Sequence, residues 1–215
     1  MLVGERMSHP VMSIAPDLPI MEALNMMKRE KVRRFPVVKN GKLVGIVAER
    51  DLLNASTAPT TTLSVWELNY QLSRITVEKV MTKKVISVPA DASIEAAARI
   101  MVDKKVGGLP VLRGDELVGI ITETDLFRML LEMMGAREPG VRVTALVPEA
   151  HGQLAKITAA ISNAGGDFIS MGTFAGETPN DRMIAFKMTG MDMDEVQPLL
   201  APLIEKMVDI RLCCD

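Results

Sequence analysis

The chain has 215 residues, of which 48% are apolar and 24% are charged, with a net charge of −2. These proportions are typical of a soluble globular protein, and so small a charge gives no strong field for nucleic acid or an acidic membrane. Only 3% of the residues are aromatic, which argues against a surface that stacks nucleic-acid bases. No apolar run reaches the length of a membrane span, and the first ten residues lack the apolar segment of a secretory signal. We therefore expect a cytoplasmic protein.

The first part of the sequence consists of one segment that occurs twice. Residues 3–53 align without a gap with residues 77–127, at a constant offset of 74 positions (77 − 3 and 127 − 53). An ungapped repeat indicates one supersecondary unit that is made twice and packed against its copy. Such a pair has a pseudo-twofold axis, and the cleft between its halves is a natural place for a ligand.

Each repeat is predicted to contain a strand, a helix, two strands and a second helix. In the first repeat, residues 11–14 form the first strand. The following helix has apolar residues at i, i+3, i+4 and i+7, namely Ile20, Ala23, Leu24 and Met27. Two strands at 35–38 and 43–47 are joined by Asn40-Gly41, the dipeptide that hairpin turns favour. The last helices of the two repeats are expected to begin at Asp51 and Asp125.

The rest of the chain divides into a linker and a region with a different pattern. Residues 56–76 are predicted to be a linker that contains a helix at 63–72, around Trp66. Beyond a second break at 135–140, strands are predicted at 141–147, 167–173, 182–188 and 208–212, with helices at 153–164 and 192–206. This order is βαββαβ, a ferredoxin-like pattern. The first of these helices should bury Leu154, Ile157, Ala160 and Ile161. Pro198 and Pro202 should kink or shorten the second.

Both parts of the chain resemble known families. The resemblance of residues 1–55 and 77–134 to CBS domains rests on MSHPVMSIAPD and MTKKVISVPAD, and on FPVV…LVGIVAERD and LPVL…LVGIITETD. Two such domains form a Bateman module. Residues 141–215 resemble an ACT domain, an amino-acid-sensing βαββαβ fold, through the loop EAHGQL and the segment AGGDFI. The whole order is similar to the acetoin-utilisation accessory protein family. We therefore expect an α/β (α+β) protein.

The CBS resemblance implies an adenosyl ligand, such as AMP, ADP, ATP or S-adenosylmethionine, that acts as a regulatory ligand and not as a catalytic cofactor. A ribose diol requires a carboxylate acceptor, phosphates favour guanidinium groups, and adenine requires an apolar slot. For the first cleft the resemblance implies the following residues: Asp51 for the ribose with Arg50 beside it, Arg33 and Arg34 for phosphate, and Ile86, Val106 and Gly107 for adenine. Ala48 stands where the family often has Ser or Thr, which removes one hydroxyl contact.

The second cleft is expected to be less suited to an anion. The resemblance implies Asp125 for the ribose, with Thr122 and Thr124 nearby, and an adenine slot made by Met12, Val32 and Arg33. Its phosphate positions, Gly107 and Gly108, carry no charge. Structural alternatives remain for both clefts: residues 122–125 also fit a capping box, and Asp51 fits a first-turn acid on a helix dipole. Arg33 and Arg34 also fit a solvated basic helix end.

A second, amino-acid site is implied in the ACT-like region, at an interface between two copies and near the glycine of the first loop. Gly152 matches that glycine, and Glu149, His151, Asn163 and Asp167 are the other candidates. Glu149 and His151 replace the usual Asp-x-Pro run, so the loop departs from the family pattern. The alternative is a dimerisation domain without a ligand.

These observations predict a regulatory, ligand-sensing homodimer, associated through its CBS and ACT domains, in which the ligand shifts a conformational equilibrium. An enzyme regulated by this protein is an expected partner. The alternative is an assembly or partner-binding subunit that binds no ligand. The sequence shows no nucleophile with a base and no phosphate-binding loop, so we do not expect an enzyme. His9 and His151 have no acidic or thiol neighbours at ligand spacing, so no metal site is predicted.

Overall fold

The computed structural model of the chain describes residues 1–56 and 74–213. The predicted linker helix at 63–72, with Trp66, lies outside these residues. The chain forms two compact units, Met1–Leu126 and Phe127–Asp215. The second unit therefore begins before residue 134, where the sequence placed the end of the second repeat. In the part of the chain that the structure describes, no helix is long and apolar enough to cross a bilayer.

The first unit contains the two repeats, which share five main elements, and the second repeat has one additional short strand. In the first repeat these are α1 (Val3–Arg6), α2 (Ile20–Glu30), β1 (Arg34–Lys39), β2 (Lys42–Ala48) and α3 (Glu49–Ser56). In the second they are α4 (Val77–Val80), β3 (Val88–Pro89), α5 (Ile94–Lys104), β4 (Gly108–Arg113), β5 (Glu116–Thr122) and α6 (Glu123–Met133). Helix α6 begins in the first unit and ends in the second. The predicted apolar face of α2 is confirmed, because its four residues are at most 4% exposed.

The predicted strand at residues 11–14 is wrong. Only Ile14 pairs, as a single bridge to Val37, and the counterpart β3 has just two residues. Pro10 and Pro16 flank this segment, and proline has no amide hydrogen to donate to a ladder. Helices α3 and α6 begin at Glu49 and Glu123, two residues before the predicted starts.

The hairpin between β1 and β2 follows the sequence prediction. Asn40 and Gly41 both have positive φ, 52° and 76°, as a type I′ turn requires. In the second repeat only Gly114 has positive φ, 61°, so this turn resembles type II′. The two hairpins nevertheless keep the same strand register, because Arg34 pairs with Ala48 and Gly108 with Thr122.

The two repeats exchange their first helical turns, which the sequence did not predict. Val3 of the first repeat is completely buried in the core of the second, and Val77 of the second repeat is buried in the core of the first. Met7 and Met81 also pack against the opposite repeat. If Gly119 had a Cβ atom, this atom would overlap the sulfur of Met7, and a Cβ atom at Gly45 would overlap the sulfur of Met81. Glycine at both positions therefore permits the close approach of these methionine side chains.

This reciprocal packing has a consequence for the cleft. Neither repeat completes its core with its own residues alone, so the two fold as one body around the pseudo-twofold axis. Isolated bridges reinforce the exchange, since Leu2 pairs with Ser93 and Pro19 with Thr76. The positions that face each other across the axis are thereby fixed relative to one another.

The second unit has the predicted βαββαβ order. Its elements after α6 are β6 (Gly140–Pro148), α7 (Gln153–Asn163), β7 (Asp167–Ala175), β8 (Asp181–Thr189), α8 (Met193–Leu200), a short 3-10 helix (Ala201–Leu203) and β9 (Lys206–Cys213). The sheet order is β7-β8-β6-β9 and every pairing is antiparallel. Ile157 and Ile161 of α7 and Val196 and Leu200 of α8 pack with Phe186 in one apolar core.

Two predictions in this unit need correction. Leu154 is 38% exposed instead of buried, and the neighbouring Gln153 takes the inward position and donates a hydrogen bond to the Leu203 carbonyl. The predicted helix at 192–206 ends at Leu200 and continues only as the 3-10 turn. Pro198 lies inside α8 and Pro202 inside the 3-10 turn, and neither proline can donate the backbone hydrogen bond that a longer helix requires.

Candidate functional site

A cavity of about 310 Å³ lies between the two repeats of the first unit, within the usual size of ligand pockets. Both repeats contribute to its walls. It is lined by Arg34, Ile46, Ala48, Asp51, Thr82, Lys84, Ile86, Lys105, Val106, Gly107 and Gly108. Five of the residues predicted for the first cleft are among them: Arg34, Asp51, Ile86, Val106 and Gly107.

Asp51 lies in the first turn of α3, immediately after β2. Its Oδ2 accepts a hydrogen bond from the Ala48 amide at 2.9 Å. Within the described residues this amide is the one donor to Asp51. Position 48 has no hydroxyl, so nothing else from β2 competes for the carboxylate. The second oxygen, Oδ1, is thus available as an acceptor on a half-buried side chain that lines the cavity.

Arg34 begins β1 and supplies a positive charge to the same cavity. Burial lowers the pKa of Arg34, whereas the negative charge of Glu123 raises it and the neighbouring Arg33 lowers it. Its Nη1 is buried and has no hydrogen-bond partner within the described residues. A buried donor without an acceptor is destabilising by about 1–3 kcal/mol, and by more when it is charged. The geometry therefore favours an anionic acceptor that reaches Arg34 through the cavity.

The remaining walls combine an apolar slot with two further cations. Ile86 is 37% exposed and lies with Ile46 and Val106 on the lining. Lys84 and Lys105 were missed by the sequence analysis. Lys84 could have been found two positions before Ile86, on the same side of an extended segment, and Lys105 directly precedes Val106. Counted over the described residues, the lining has three cations and one carboxylate and thus a net positive charge.

Arg33 and Arg50, the other two residues predicted for the first cleft, lie elsewhere. Both are exposed and neither lines the cavity. Arg33 lies in the bend just before β1, whereas Arg34 is the first residue of that strand. A ligand contact by either residue stays a prediction.

The residues predicted for the second cleft show a different hydrogen-bond pattern. Asp125 is only 7% exposed. Its carboxylate accepts from the Thr122 amide at 2.9 Å, from the Thr122 hydroxyl at 2.7 Å and from the Ser8 hydroxyl at 3.5 Å. The Asp125 amide returns a bond to the Thr122 hydroxyl at 3.4 Å, so the structural, helix-capping interaction is present here in full.

The other members of that predicted set are less enclosed. Thr124 is exposed at the start of α6, and Met12 is 44% exposed. Val32 is half-buried and packs against the core of the first repeat. Their contact with an adenine ring stays a prediction.

In the second unit, three of the five residues predicted for an amino-acid site lie together. Glu149, His151 and Gly152 line a cavity of about 450 Å³ with Arg182. Glu149 accepts from Arg182 Nε at 2.5 Å and from Nη2 at 3.0 Å, and this bond raises the pKa of Arg182. Asn163 and Asp167 are exposed at the far end of α7, about 16 Å away at the rise of an α-helix. One copy of the chain does not bring the five residues together.

Comparison with known proteins identifies the repeated segment. The family model described as "CBS domain" matches residues 3–58 and 77–132, which is just over half of the chain. The chain is similar to the CBS domain pair of protein MJ0100, whose structure contains 5′-methylthioadenosine and S-adenosyl-L-methionine. The identity is 28% and the TM-score 0.51, over 60% of this chain and 95% of that one.

Two further structures are similar over the same extent. AcuB from Vibrio cholerae, whose name refers to acetoin utilization, is 29% identical with a TM-score of 0.54, over 64% of this chain and 96% of that one. CBSX2 from Arabidopsis thaliana, in complex with AMP, is 27% identical with a TM-score of 0.51, over 60% of this chain and 96% of that one.

Proposed function

Because the chain belongs to the CBS domain family and carries a pair of these domains, we propose that it is a regulatory sensor that binds an adenosyl ligand in its first cleft. The observation that carries this proposal is the pairing of Asp51 and Arg34 in one cavity. Asp51 offers an open carboxylate oxygen to a ribose diol. Arg34 offers a buried, unpartnered N–H group to a phosphate.

The rest of the lining favours a ligand with one apolar ring and one anionic end. Ile86 and Val106 provide an apolar surface for adenine. Lys84 and Lys105 add positive charge, which favours AMP, ADP or ATP over a neutral nucleoside. The complexes of MJ0100 and CBSX2 support this proposal, because they contain adenosyl compounds.

The proposed mechanism is a shift of population between arrangements in which two such modules pack against each other. A ligand in the cleft contacts strand β1 of one repeat and the start of β4 in the other. It acts only through its differential affinity, and it therefore stabilises the packing arrangement whose modules bind it more tightly. No chemical step is required of the protein, and we propose a regulatory rather than a catalytic role.

We further propose that the region 141–215 is an ACT domain and that the chain forms a homodimer. The cavity at Glu149–Gly152 supports the first idea, since it contains Gly152, the loop glycine near which the ACT family binds small molecules. Exposed apolar side chains on α6 support the second: Phe127 is 65% exposed and Met133 is 64% exposed. The domain limits, the control of a partner enzyme, a link to acetoin utilisation and a cytoplasmic location belong to the same proposal.

Calorimetric titration with AMP and with adenosine tests the central part of this proposal. We expect AMP to bind, and to bind about tenfold or more tightly than adenosine, because a hydrogen bond to a charged group is worth about 1.5–3 kcal/mol. If neither compound, nor ADP, ATP or S-adenosylmethionine, binds in the micromolar range, the sensor proposal fails. A stable dimer that no ligand alters would then favour the assembly-subunit alternative.

The proposals for the second unit require their own measurement. Sedimentation of the whole chain is expected to show a dimer. If the second unit binds an amino acid, a mixture of free amino acids should change the dissociation constant of this dimer. A monomer at micromolar concentration would contradict the homodimer. A dimer that no amino acid affects would leave this unit as a dimerisation domain.

A further inference from the structure

The two clefts differ most at two adjacent pairs of equivalent positions. At the offset of 74, Arg33 and Arg34 correspond to Gly107 and Gly108, while Asp51 corresponds to Asp125. Both clefts thus have a carboxylate at the sugar position. Only the first repeat has guanidinium groups at the start of its first hairpin strand.

The side chain of Arg34 contacts the second repeat, although Arg34 belongs to the first. It extends across to the Gly107–Gly108 segment of the second repeat, at the first residue of β4. A Cβ at Gly107 would lie 2.7 Å from Arg34 Nη2, and a Cβ at Gly108 would overlap Nη1. The Arg34 guanidinium therefore occupies the space that a side chain at position 107 or 108 would fill, and the two glycines permit this close approach.

The pseudo-twofold symmetry of the repeats relates the location of the Arg34 guanidinium to both clefts. A side chain at position 108 would have the same spatial relation to Asp125 in the second cleft as Arg34 has to Asp51 in the first cleft. A guanidinium that lines the first cavity and also lies against Gly108 is therefore within reach of the anionic end of a ligand in either cleft. Glu123, whose Oε2 lies 2.8 Å from the same Cβ position at Gly107, adds a negative charge on the side of the second repeat.

We infer that Arg34 is a single cationic anchor shared by the two clefts, so that the chain holds one anionic adenosyl ligand at a time. An adenosyl compound in the other cleft must then have an uncharged tail. This inference rests on the proposed function and adds to it the stoichiometry and the ligand charge. It also implies that ligands in the two clefts compete. A phosphate that binds the Arg34 guanidinium from one cleft makes this guanidinium unavailable to a ligand in the other cleft.

An exchange of the two residues tests the inference. The double variant Arg34→Gly/Gly108→Arg keeps one guanidinium but places it on the second repeat. Calorimetry with AMP is expected to give one site per chain for the wild type. Asp51→Ala should weaken this site about 100-fold, and the remaining AMP binding should depend on Asp125, because Arg34 reaches both clefts. In the double variant we again expect one site, now weakened about 100-fold by Asp125→Ala and not by Asp51→Ala. Circular dichroism establishes that each variant is folded.

The outcomes separate this inference from the proposed function. Two equivalent AMP sites in the wild type, or a double variant that still depends on Asp51, would overturn the shared anchor while leaving nucleotide binding intact. No AMP binding by the wild type would defeat the proposed function itself. If the double variant does not fold, Arg34→Met replaces it. This variant is expected to bind AMP about tenfold or more weakly, so that AMP and adenosine bind alike, and an unchanged preference for AMP would refute the role of Arg34.

Discussion

Replacing Asp51 with alanine is expected to weaken AMP binding by about 100-fold. The ribose diol would lose two hydrogen bonds to a charged acceptor, each worth about 1.5–3 kcal/mol, and a total loss of about 3 kcal/mol corresponds to two decades in Kd. Among the described residues no other carboxylate lines the cavity, so none of them can take over this role. Calorimetric titration with AMP measures the change directly.

Two variants control this experiment. Asp51 also caps α3 through the Ala48 amide, and loss of a cap destabilises by about 1 kcal/mol. Asp51→Asn retains an oxygen for that amide but removes the charge, so it should remain folded and still bind weakly. Asp17→Ala removes an exposed carboxylate elsewhere in the first repeat and should bind AMP like the wild type. Equal affinity for all four proteins would show that Asp51 does not hold the ligand.

A second large effect is expected from Val3→Asp. Val3 is completely buried, and it contributes to the core of the second repeat although it belongs to the first. A carboxylate there would be buried without a partner, a change that destabilises by about 3–5 kcal/mol. Denaturant unfolding measures the loss, and limited proteolysis locates it. We expect new cleavage in the second repeat, more than seventy residues away in sequence.

Matched substitutions show whether the exchanged helical turns cause this effect. Val77→Asp places the same charge in the core of the first repeat and should cause a similar loss, with cleavage in the first repeat. Val102→Asp lies on α5 at a position that is 76% exposed, and should change stability by less than about 0.5 kcal/mol. If Val3→Asp is no more harmful than Val102→Asp, the reciprocal packing is not what holds the repeats together.

Much of the fold could be predicted because its determinants are local. The apolar spacing of α2 and the Asn40-Gly41 turn are each encoded within a few residues. The βαββαβ order likewise follows from the residue patterns of short, separate segments. The exchange of α1 and α4 could not be predicted in this way. Each is a single helical turn with no periodicity to detect, and its partner residues lie in the other repeat. The same is true of Gly45 and Gly119, whose need for close approach depends on methionines from the opposite repeat.

The candidate site shows a similar division. Asp51 and Arg34 were found through the resemblance, and both line the cavity. Arg33 was grouped with Arg34, but it is exposed and does not line the cavity, so its contact with a ligand stays a prediction. The contact of Arg34 with Gly107 and Gly108 required coordinates, because sequence symmetry alone indicates only that the second repeat lacks the charge.

A crystal structure of the chain with AMP tests the central claim most directly. We expect one nucleotide per chain, with its ribose hydroxyls within about 3 Å of the Asp51 carboxylate and its phosphate bonded to Arg34 Nη1. A nucleotide whose sugar is held by Asp125 while Asp51 still contacts only the Ala48 amide, or a phosphate directed away from Arg34, would contradict it.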